Sequence, residues 1–282
     1  MGACANSSME KAMRFALVND VRCEAAPRLI GSCPSCLQAM IAKCGNQRIR
    51  HWAHRSRVSC DTWKERETLW HRTLKDQFPA EWQEVQMRDD SGQRHIADVR
   101  TAHGLVVEFQ HSHLGANERA AREAFYNNMV WVVDGTRLKR DRGRFQQGGK
   151  LLRRVPATNL FFTHTPEACF PVAWLSSTKP VFFDFEGVRD GSQTADRHVL
   201  WCLLPERVEG LAILAPIPRQ RFVTAASERA WIIPGKAVIE LLTTFLRRER
   251  AVAELNARAW AYASPNERNF RRARWRRRAR MR

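Results

Sequence analysis

Residues 94–111 read RHIADVRTAHGLVVEFQH, and this stretch decides the fold. Two largely apolar runs, 95–100 and 105–111, lie on either side of a Gly-containing turn, which predicts two adjacent strands. Side chains alternate between the two faces of a strand, so Glu108 and Gln110 project from the same face. A carboxylate buried alone in so apolar a strand is strongly destabilising, so Glu108 needs a partner such as a cation.

A second carboxylate, Asp98, lies on the preceding strand. Two carboxylates on adjacent strands can hold a divalent metal through oxygen ligands, which suits Mg²⁺. A regular hairpin around the turn 101–104 would pair Asp98 with Val107 and put it on the face opposite Glu108. The metal-site hypothesis therefore predicts an odd-length loop or a bulge between Ile96 and Val107.

The flanking segments extend this hairpin into an α/β core with a mixed sheet. Helices are predicted over 61–78 and 117–128, and strands over 82–88 and 129–134. The last strand has no polar alternation, as expected of a strand covered on both faces. The predicted order is α-β-β-β-α-β, and its final β-α-β crossover makes two strands parallel.

The first of these helices carries a third candidate metal ligand, Glu67. On a helix over 61–78, Glu67 lies within an apolar stripe made of Trp63, Trp70, Leu74 and Phe78. An acid in that stripe is destabilising unless it faces a metal or a buried base. The alternative is that Glu67 only forms an ion pair with Lys75 or Arg66.

The second helix carries candidate phosphate ligands. Arg119, Arg122 and Tyr126 fall on one side of it, next to the carboxylates. This combination suits phosphate binding, because guanidinium groups make bidentate contacts with phosphate oxygens. The alternative is ion pairing within the helix, such as Arg119 with Glu123.

The first 60 residues form a separate, cysteine-rich stretch with six of the eight Cys residues. Two short strands are predicted over 14–18 and 22–25, followed by a Cys-rich loop region over 31–54. In that region Cys33-x-x-Cys36 is followed by His51-x-x-His54, at a spacing near that of zinc sites.

This pattern predicts a structural zinc ion held by Cys33, Cys36, His51 and His54, with one pair on a knuckle and the other on a helical turn. Four protein ligands would leave no open position on the metal. Cys44 and Cys60 compete for a ligand position. A redox pair or buried free thiols are the alternatives to zinc.

The charge balance points to a polyanionic partner. The 282 residues contain 47 Lys and Arg against 29 Asp and Glu, a net charge of +18, which favours nucleic acid before a membrane. The final 18 residues hold nine Arg. Within them the candidate DNA ligands are Arg271, Arg272, Arg274 and Trp275, where Trp275 could stack on an unpaired base. The alternative is that this tail is only solvated.

Four segments follow from these observations. They are a zinc-finger-like module over 1–60, the core over 61–150, an α/β region of open role over 151–263 and a disordered Arg-rich tail over 264–282. Within the third, strands are predicted over 181–186 and 199–204 and a helix over 234–263, while 137–154 is expected to be a surface connection. No apolar run reaches the ~20 residues of a membrane span, and the N-terminus lacks a signal peptide's apolar region, so we expect a cytoplasmic protein.

These motifs together resemble the competence protein CoiA family. The resemblance covers about residues 14–135, and its most specific parts are Glu67…His71, 94–99, 108–112, 118–126, 131–135 and the two N-terminal Cys and His pairs. It implies a PD-(D/E)XK (restriction-endonuclease-like) nuclease core behind a zinc-finger-like module.

The resemblance also implies roles. Asp98 and Glu108 would be metal ligands, Glu67 an additional acid and Gln110 the residue in the lysine position. It implies Mg²⁺- or Mn²⁺-dependent hydrolysis of DNA during uptake or recombination, with proteins of those processes as partners. Because Gln cannot donate a proton as Lys does, a catalytically inactive DNA-binding or adaptor protein with the same fold is the alternative. A zinc-containing RNA-binding protein is the third hypothesis.

Overall fold

The computed structural model describes residues 12–56, 60–63, 65, 67–186 and 199–262. They fall into two compact units, one ending at Ile233 and one beginning at Pro234. The second unit contains the helix predicted over 234–263, which spans Gly235–Tyr262 and is numbered α5 below. Among the described helices, none combines the length and the apolar character needed to cross a membrane.

The N-terminal part of the first unit is a five-stranded antiparallel sheet. Its strands are β1 (Phe15–Val18), β2 (Val21–Glu24), β3 (Ile30–Ser32), β4 (Ala39–Lys43) and β5 (His51–His54), in the order β2-β1-β3-β4-β5. The expected loop over 31–54 is therefore wrong. Strands β3, β4 and β5 were not predicted, because each has only three to five residues, too few to show a period. Trp52 is fully buried and its indole donates to Cys23 O.

The predicted α-β-β-β-α-β order is present in the second part of this unit, where the strands belong to a sheet of nine. Its elements are α1 (Leu69–Lys75), β6 (Gln83–Arg88), β7 (Arg94–Arg100), β8 (Val106–Gln110), α2 (Ala116–Tyr126) and β9 (Met129–Asp134). Strands β6 to β8 are antiparallel, and β8 and β9 are parallel as predicted. Every residue of β8 and β9 is buried, in keeping with their apolar runs.

Helix α1 is shorter than predicted and begins at Leu69 instead of residue 61. Thr68 caps it: its hydroxyl accepts from His71 N, and His71 Nδ1 accepts from Thr68 N at 3.2 Å. Asp61, at the predicted start of the helix, instead accepts hydrogen bonds from β7. Because Glu67 precedes the helix, its predicted position on a helical apolar stripe is wrong.

The β7–β8 hairpin has the odd-length loop that the metal-site hypothesis requires. Arg100 pairs with Val106 and Val99 with Val107, so the loop covers 101–105. Thr101 N donates to Leu105 O at 2.9 Å and closes this loop. Extending the register by one residue sets Asp98 opposite Glu108, on the same face.

The chain beyond residue 150 continues the same sheet. Its strands are β10 (Arg153–Arg154), β11 (Phe161–Thr163), β12 (Val181–Asp184), β13 (Val199–Val208) and β14 (Leu211–Pro218), in the order β10-β11-β14-β13-β12-β9-β8-β7-β6. The strands predicted over 181–186 and 199–204 are confirmed as β12 and β13. Since β12 pairs in parallel with β9, no break in the sheet occurs at residue 150.

Two further helices were not predicted, namely α3 (Lys139–Gly148) and α4 (Arg219–Glu228). The surface connection expected over 137–154 is wrong. Helix α3 is charged on most sides and is anchored by Phe145, which is buried and stacks on Phe185 at 4.3 Å between ring centroids. One aromatic side chain in a charged helix leaves little apolar periodicity in the sequence.

Candidate functional site

The predicted acids Glu67, Asp98 and Glu108 line one pocket. This pocket has a volume of about 20 Å³, which is room for one water molecule or ion. Its walls come from the segment before α1, from α1 itself and from β7, β8 and α2. Residues remote in sequence therefore meet at one place because the sheet puts β7 and β8 side by side below α1 and α2.

Asp98 and Glu108 are held together by the backbone of their own strands. Asp98 N donates to Glu108 Oε1 at 3.0 Å, and Phe109 N donates to Asp98 Oδ2 at 3.1 Å. The two side chains thus bind main-chain groups of the opposite strand just beyond the last regular pair of the ladder, Val99 with Val107. This pairing fixes both carboxylates at the pocket.

Two basic side chains balance the acids. Lys75 Nζ forms ion pairs with Glu67 and, at 3.5 Å, with Glu84, and it lies 3.9 Å from Asp98 Oδ1. Arg122 Nη1 lies 3.3 Å from Glu108 Oε2. Lys75 is 2% exposed, so its charge acts in a region with little water. The alternative raised from the sequence, an ion pair of Glu67 with Lys75, is therefore present.

Burial and the neighbouring charge of Asp98 raise the pKa of Glu108 to about 8. The Arg122 guanidinium opposes this shift without cancelling it. A carboxyl group with this pKa holds a proton near neutral pH and releases it when a divalent metal ion binds. Glu108 is therefore suited to bind a divalent cation in exchange for a proton.

The donor set of this pocket fits Mg²⁺ in its chemistry, since carboxylate oxygens are the ligands that hard cations prefer. The pocket also has room for one ion. The ligand oxygens of Glu67, Asp98 and Glu108 do not all lie within 4.8 Å of one another, whereas a Cys and His cluster elsewhere in the described residues does meet that limit. Lys75, which contacts both Glu67 and Asp98, accounts for this separation.

Glu65 is a site residue that the sequence analysis missed. Its carboxylate accepts from His71 Nε2 at 2.7 Å, from His111 N at 2.8 Å and from both N and Oγ of Ser112. Burial by itself raises its pKa, but these hydrogen bonds, led by that from His71, outweigh burial and lower the pKa to about 2. Glu65 ties the segment before α1 to the end of β8, and its only sequence signal was an acid close to Glu67.

Gln110 does not line the acidic pocket but is bound to Glu65, which does. Its Nε2 donates to Glu65 Oε2 at 3.0 Å and to Ser112 O and Oγ at 3.2 Å. Gln110 is 2% exposed and does not line the pocket. Its hydrogen bonds hold Glu65, while Lys75 provides the cation beside Asp98.

The three candidate phosphate ligands on α2 are buried, which corrects their expected role. Arg119 donates to Ala173 O and Ser176 Oγ, and Arg122 to Trp63 O and Glu118. Tyr126 is 4% exposed. These side chains connect α2 to neighbouring segments, so they are not available to a DNA backbone at the surface. The candidates Arg271, Arg272, Arg274 and Trp275 lie outside the described residues.

A second cluster lies at the N-terminal sheet and consists of Cys33, Cys36, His54 and Cys60. Its ligand atoms all lie within 4.8 Å of one another, with 3.6 Å between Cys33 Sγ and Cys60 Sγ and 3.3 Å between Cys36 Sγ and His54 Nε2. Two sulfurs on a tetrahedral zinc ion with bonds of about 2.3 Å are about 3.8 Å apart. The spacing and the Cys₃His donor set therefore fit structural zinc.

His51 does not belong to this cluster, and Cys60 takes the position expected for it. His51 is buried, and its Nδ1 contacts Ile49 O at 2.8 Å. The prediction assumed a helical turn, on which His51 and His54 would share a face. In strand β5 residues three apart point to opposite faces, so only His54 reaches the cysteines.

The thiols of the cluster are poised for metal binding. A hydrogen bond with Cys60 lowers the pKa of Cys33 to about 5, and the same contact raises the pKa of Cys60. Burial raises the pKa of Cys36. Without a metal, the close sulfurs share one negative charge through a proton. A zinc ion can replace that proton and neutralise the thiolate charge, so the arrangement suits zinc binding.

The zinc-type cluster is connected to the acidic pocket through Asp61 and its hydrogen bonds. Asp61 follows Cys60 directly, and its carboxylate accepts from Ile96 N at 2.8 Å and from His95 Nδ1 at 2.9 Å. Ile96 lines the acidic pocket two residues before Asp98. Fixing Cys60 therefore fixes the strand that carries Asp98.

Residues 32–62 match the family model for the N-terminal domain of competence protein CoiA. The matched segment contains all four members of the Cys and His cluster. It ends before Glu65, so the acidic pocket lies outside it. No curated protein and no solved structure matches the chain significantly.

Proposed function

We propose that this protein is a CoiA-like, metal-dependent nuclease that hydrolyses phosphodiester bonds of DNA during uptake or recombination. The observation that carries the proposal is the meeting of Glu67, Asp98 and Glu108, from three elements, in one pocket. The CoiA match supports the competence context, and the α-β-β-β-α-β order supports a PD-(D/E)XK-type core. The net charge of +18 supports a nucleic-acid partner.

In this proposal Asp98 and Glu108 hold Mg²⁺ or Mn²⁺, with Glu67 as an additional oxygen ligand. The ion would activate a bound water and neutralise charge that grows on the phosphate. Arg122 keeps Glu108 oriented through their ion pair. Lys75 supplies the positive charge that Gln110 lacks, since its Nζ lies in the same pocket.

The proposal extends to zinc and to location. Zinc on Cys33, Cys36, His54 and Cys60 has a structural role, because four protein ligands leave no open position. Every cysteine described by the structure is free. Reduced thiols favour the cytoplasm, where recombination proteins are the expected partners.

The test is cleavage of plasmid and single-stranded DNA with Mg²⁺ or Mn²⁺. We expect Asp98→Asn and Glu108→Gln each to lose at least 100-fold in rate, and Glu81→Gln, an exposed acid, to keep the wild-type rate. Cleavage that survives both substitutions would reject this site.

A catalytically inactive DNA-binding adaptor is the second candidate function. It is favoured by Gln110, whose amide is bound to Glu65 and Ser112. Tight DNA binding without cleavage in either metal would support the adaptor. Preference for RNA in a competition titration would instead support an RNA-binding protein.

A further inference from the structure

A cavity of about 350 Å³ lies outside the carboxyl ends of the parallel strands β8 and β9. Its walls come from the loop after β8, the connection from β9 to α3 and the segment 171–174. The crevice at this edge of a parallel sheet is the usual place for a ligand. None of the residues assigned so far to zinc or to the acidic pocket lines it.

The cavity has basic walls. Arg137, Arg140 and Arg144 line it, together with His111 and His113. Two acids also line the cavity. Asp134 is hydrogen-bonded to other residues of the protein. Asp141 pairs with Arg144 at 3.1 Å and more weakly with Arg140 at 3.9 Å.

Arg140 is 76% exposed at its side chain, so this ion pair leaves most of its donors to a ligand. Arg137 is exposed, and no ion pair joins it to a carboxylate among the residues that the structure describes. Planar guanidinium groups with free donors are suited to phosphate.

His111 is held in a fixed orientation at the mouth of this cavity. Its Nδ1 donates to Asp134 Oδ2 at 2.8 Å, because a carboxylate only accepts. Asp134 Oδ1 in turn accepts from the N and Oγ1 of Thr136 at 2.8 and 2.6 Å. The side chain of His111 is 33% exposed and lines the cavity.

Shared lining residues relate the basic cavity to the acidic pocket. His111, Ser112 and His113 also line a larger cavity of about 670 Å³. That larger cavity is bounded at its other side by Glu65 and Glu67, which line the acidic pocket as well. The three neighbouring cavities are called the groove below, with carboxylates at one end, His111 in the middle and arginines at the other.

We propose that the arginine end of this groove binds a backbone phosphate of a nucleic-acid strand that runs from the acidic pocket past His111. The inference rests on the proposed function for the identity of the strand. It replaces the buried Arg119 and Arg122 by Arg137, Arg140 and Arg144 as the phosphate ligands. A free phosphate ion has the same chemistry, and the experiment separates the two sources.

The experiment measures the anisotropy of a labelled oligo-dT strand on full-length protein that carries Glu108→Gln. No magnesium is added, so cleavage does not interfere, and no chelator is added, so a zinc ion is retained. Arg137→Ala/Arg140→Ala is compared with Lys139→Ala/Arg142→Ala, whose exposed residues lie on α3 but do not line the cavity. Both doubles remove two positive charges.

We expect the cavity variant to bind at least tenfold more weakly than the control variant. Its slope of log K against log salt should fall by about 0.7, since one phosphate contact on a single strand contributes about that much. Equal weakening in both double variants would overturn the proposal, because binding would then follow net charge alone.

A second arm tests free phosphate. Inorganic phosphate at an ionic strength matched with chloride should leave the difference between the two variants in place. If phosphate abolishes the difference between the two variants, the cavity binds a free anion and not a strand. Failure of the proposed nuclease function would appear separately, as unchanged DNA cleavage by the Asp98→Asn variant. The binding difference between the two double variants is measured in the absence of cleavage.

Discussion

Asp98 N donates to Glu108 Oε1 at 3.0 Å, so the two opposing acids of β7 and β8 are joined by the protein's own main chain. Phe109 N returns a hydrogen bond to Asp98 Oδ2. The pair is thereby preorganised in a buried pocket, where burial and the charge of Asp98 raise the pKa of Glu108. The predictions below follow from this arrangement and from the groups that support it.

The first prediction concerns the pH dependence of Glu108. Because its pKa is raised from 4.5 to about 8 in the folded protein, the stability it contributes is present below pH 4.5 and is lost as the pH rises through about 8. Glu108→Gln removes this titration, so its stability should fall less than that of the wild type between pH 5 and 9. Denaturant unfolding across this range checks the result; parallel curves for the two proteins would contradict it.

The same pKa predicts proton release on metal binding. Calorimetry with Mg²⁺ in buffers of different ionisation enthalpy should show that close to one proton leaves per ion at pH 7, and fewer at pH 9. Affinity should rise with pH up to about 8. Glu81→Gln serves as the control, and binding that is independent of pH would count against Glu108 as a ligand.

Lys75 provides the second test, because it is a buried cation among three carboxylates. Lys75→Met should lower the free energy of unfolding by about 3–5 kcal/mol, since it leaves buried charges without a partner. The double variant Lys75→Met/Glu84→Gln should recover part of that stability without recovering DNA cleavage, because Glu84 pairs with Lys75 but does not line the acidic pocket.

This comparison separates two roles of Lys75. Recovery of cleavage together with stability in the double variant would mean that Lys75 is only structural. Thermal unfolding and the cleavage rate are measured on the same preparations. Lys150→Met is the matched control, because Lys150 is exposed, and it should change neither quantity.

The third prediction distinguishes Cys60 from His51 as a zinc ligand. Cys60→Ser should lose bound zinc and the charge-transfer absorption that Co²⁺ shows with thiolates, whereas Cys44→Ser should keep both. His51→Asn should also keep them, because His51 lies outside the cluster. Loss of metal in the His51 variant with retention in the Cys60 variant would restore the ligand set expected from the sequence.

The fourth prediction concerns Glu65. Its pKa is lowered from 4.5 to about 2, so its contribution to stability is present above pH 4.5 and is lost as the pH falls through about 2. This contribution is about 3 kcal/mol. Glu65→Gln should be destabilised at pH 7 and should show a flatter acid limb than the wild type in denaturant unfolding. A limb as steep as that of Glu81→Gln would contradict the assignment.

Much of the α-β-β-β-α-β core could be predicted from local pattern. The continuous apolar run of β9 and the alternation in β8 predicted buried strands, and the crossover through α2 predicted their parallel pairing. The requirement that Asp98 and Glu108 share a face predicted an odd-length loop, which the pairing of Arg100 with Val106 confirms.

Other elements could not be predicted, because tertiary contacts determine them. Helix α1 begins at Leu69 since Asp61 bonds to β7 instead of capping a helix, and no local signal shows that partner. Helix α3 is anchored by one buried aromatic side chain, Phe145, whose partner Phe185 lies 40 residues further along the chain. Propensity is a weak guide where packing decides.

By itself, the sequence of this protein determined which acids and cysteines were available and which strands were buried, because these follow from residue type and period. Only the tertiary structure decided which of them meet. It replaced His51 with Cys60, since a strand turns residues three apart to opposite faces. It also put Lys75 beside Asp98 and engaged Gln110 with Glu65, since side chains from separate elements come together only when the sheet and helices pack.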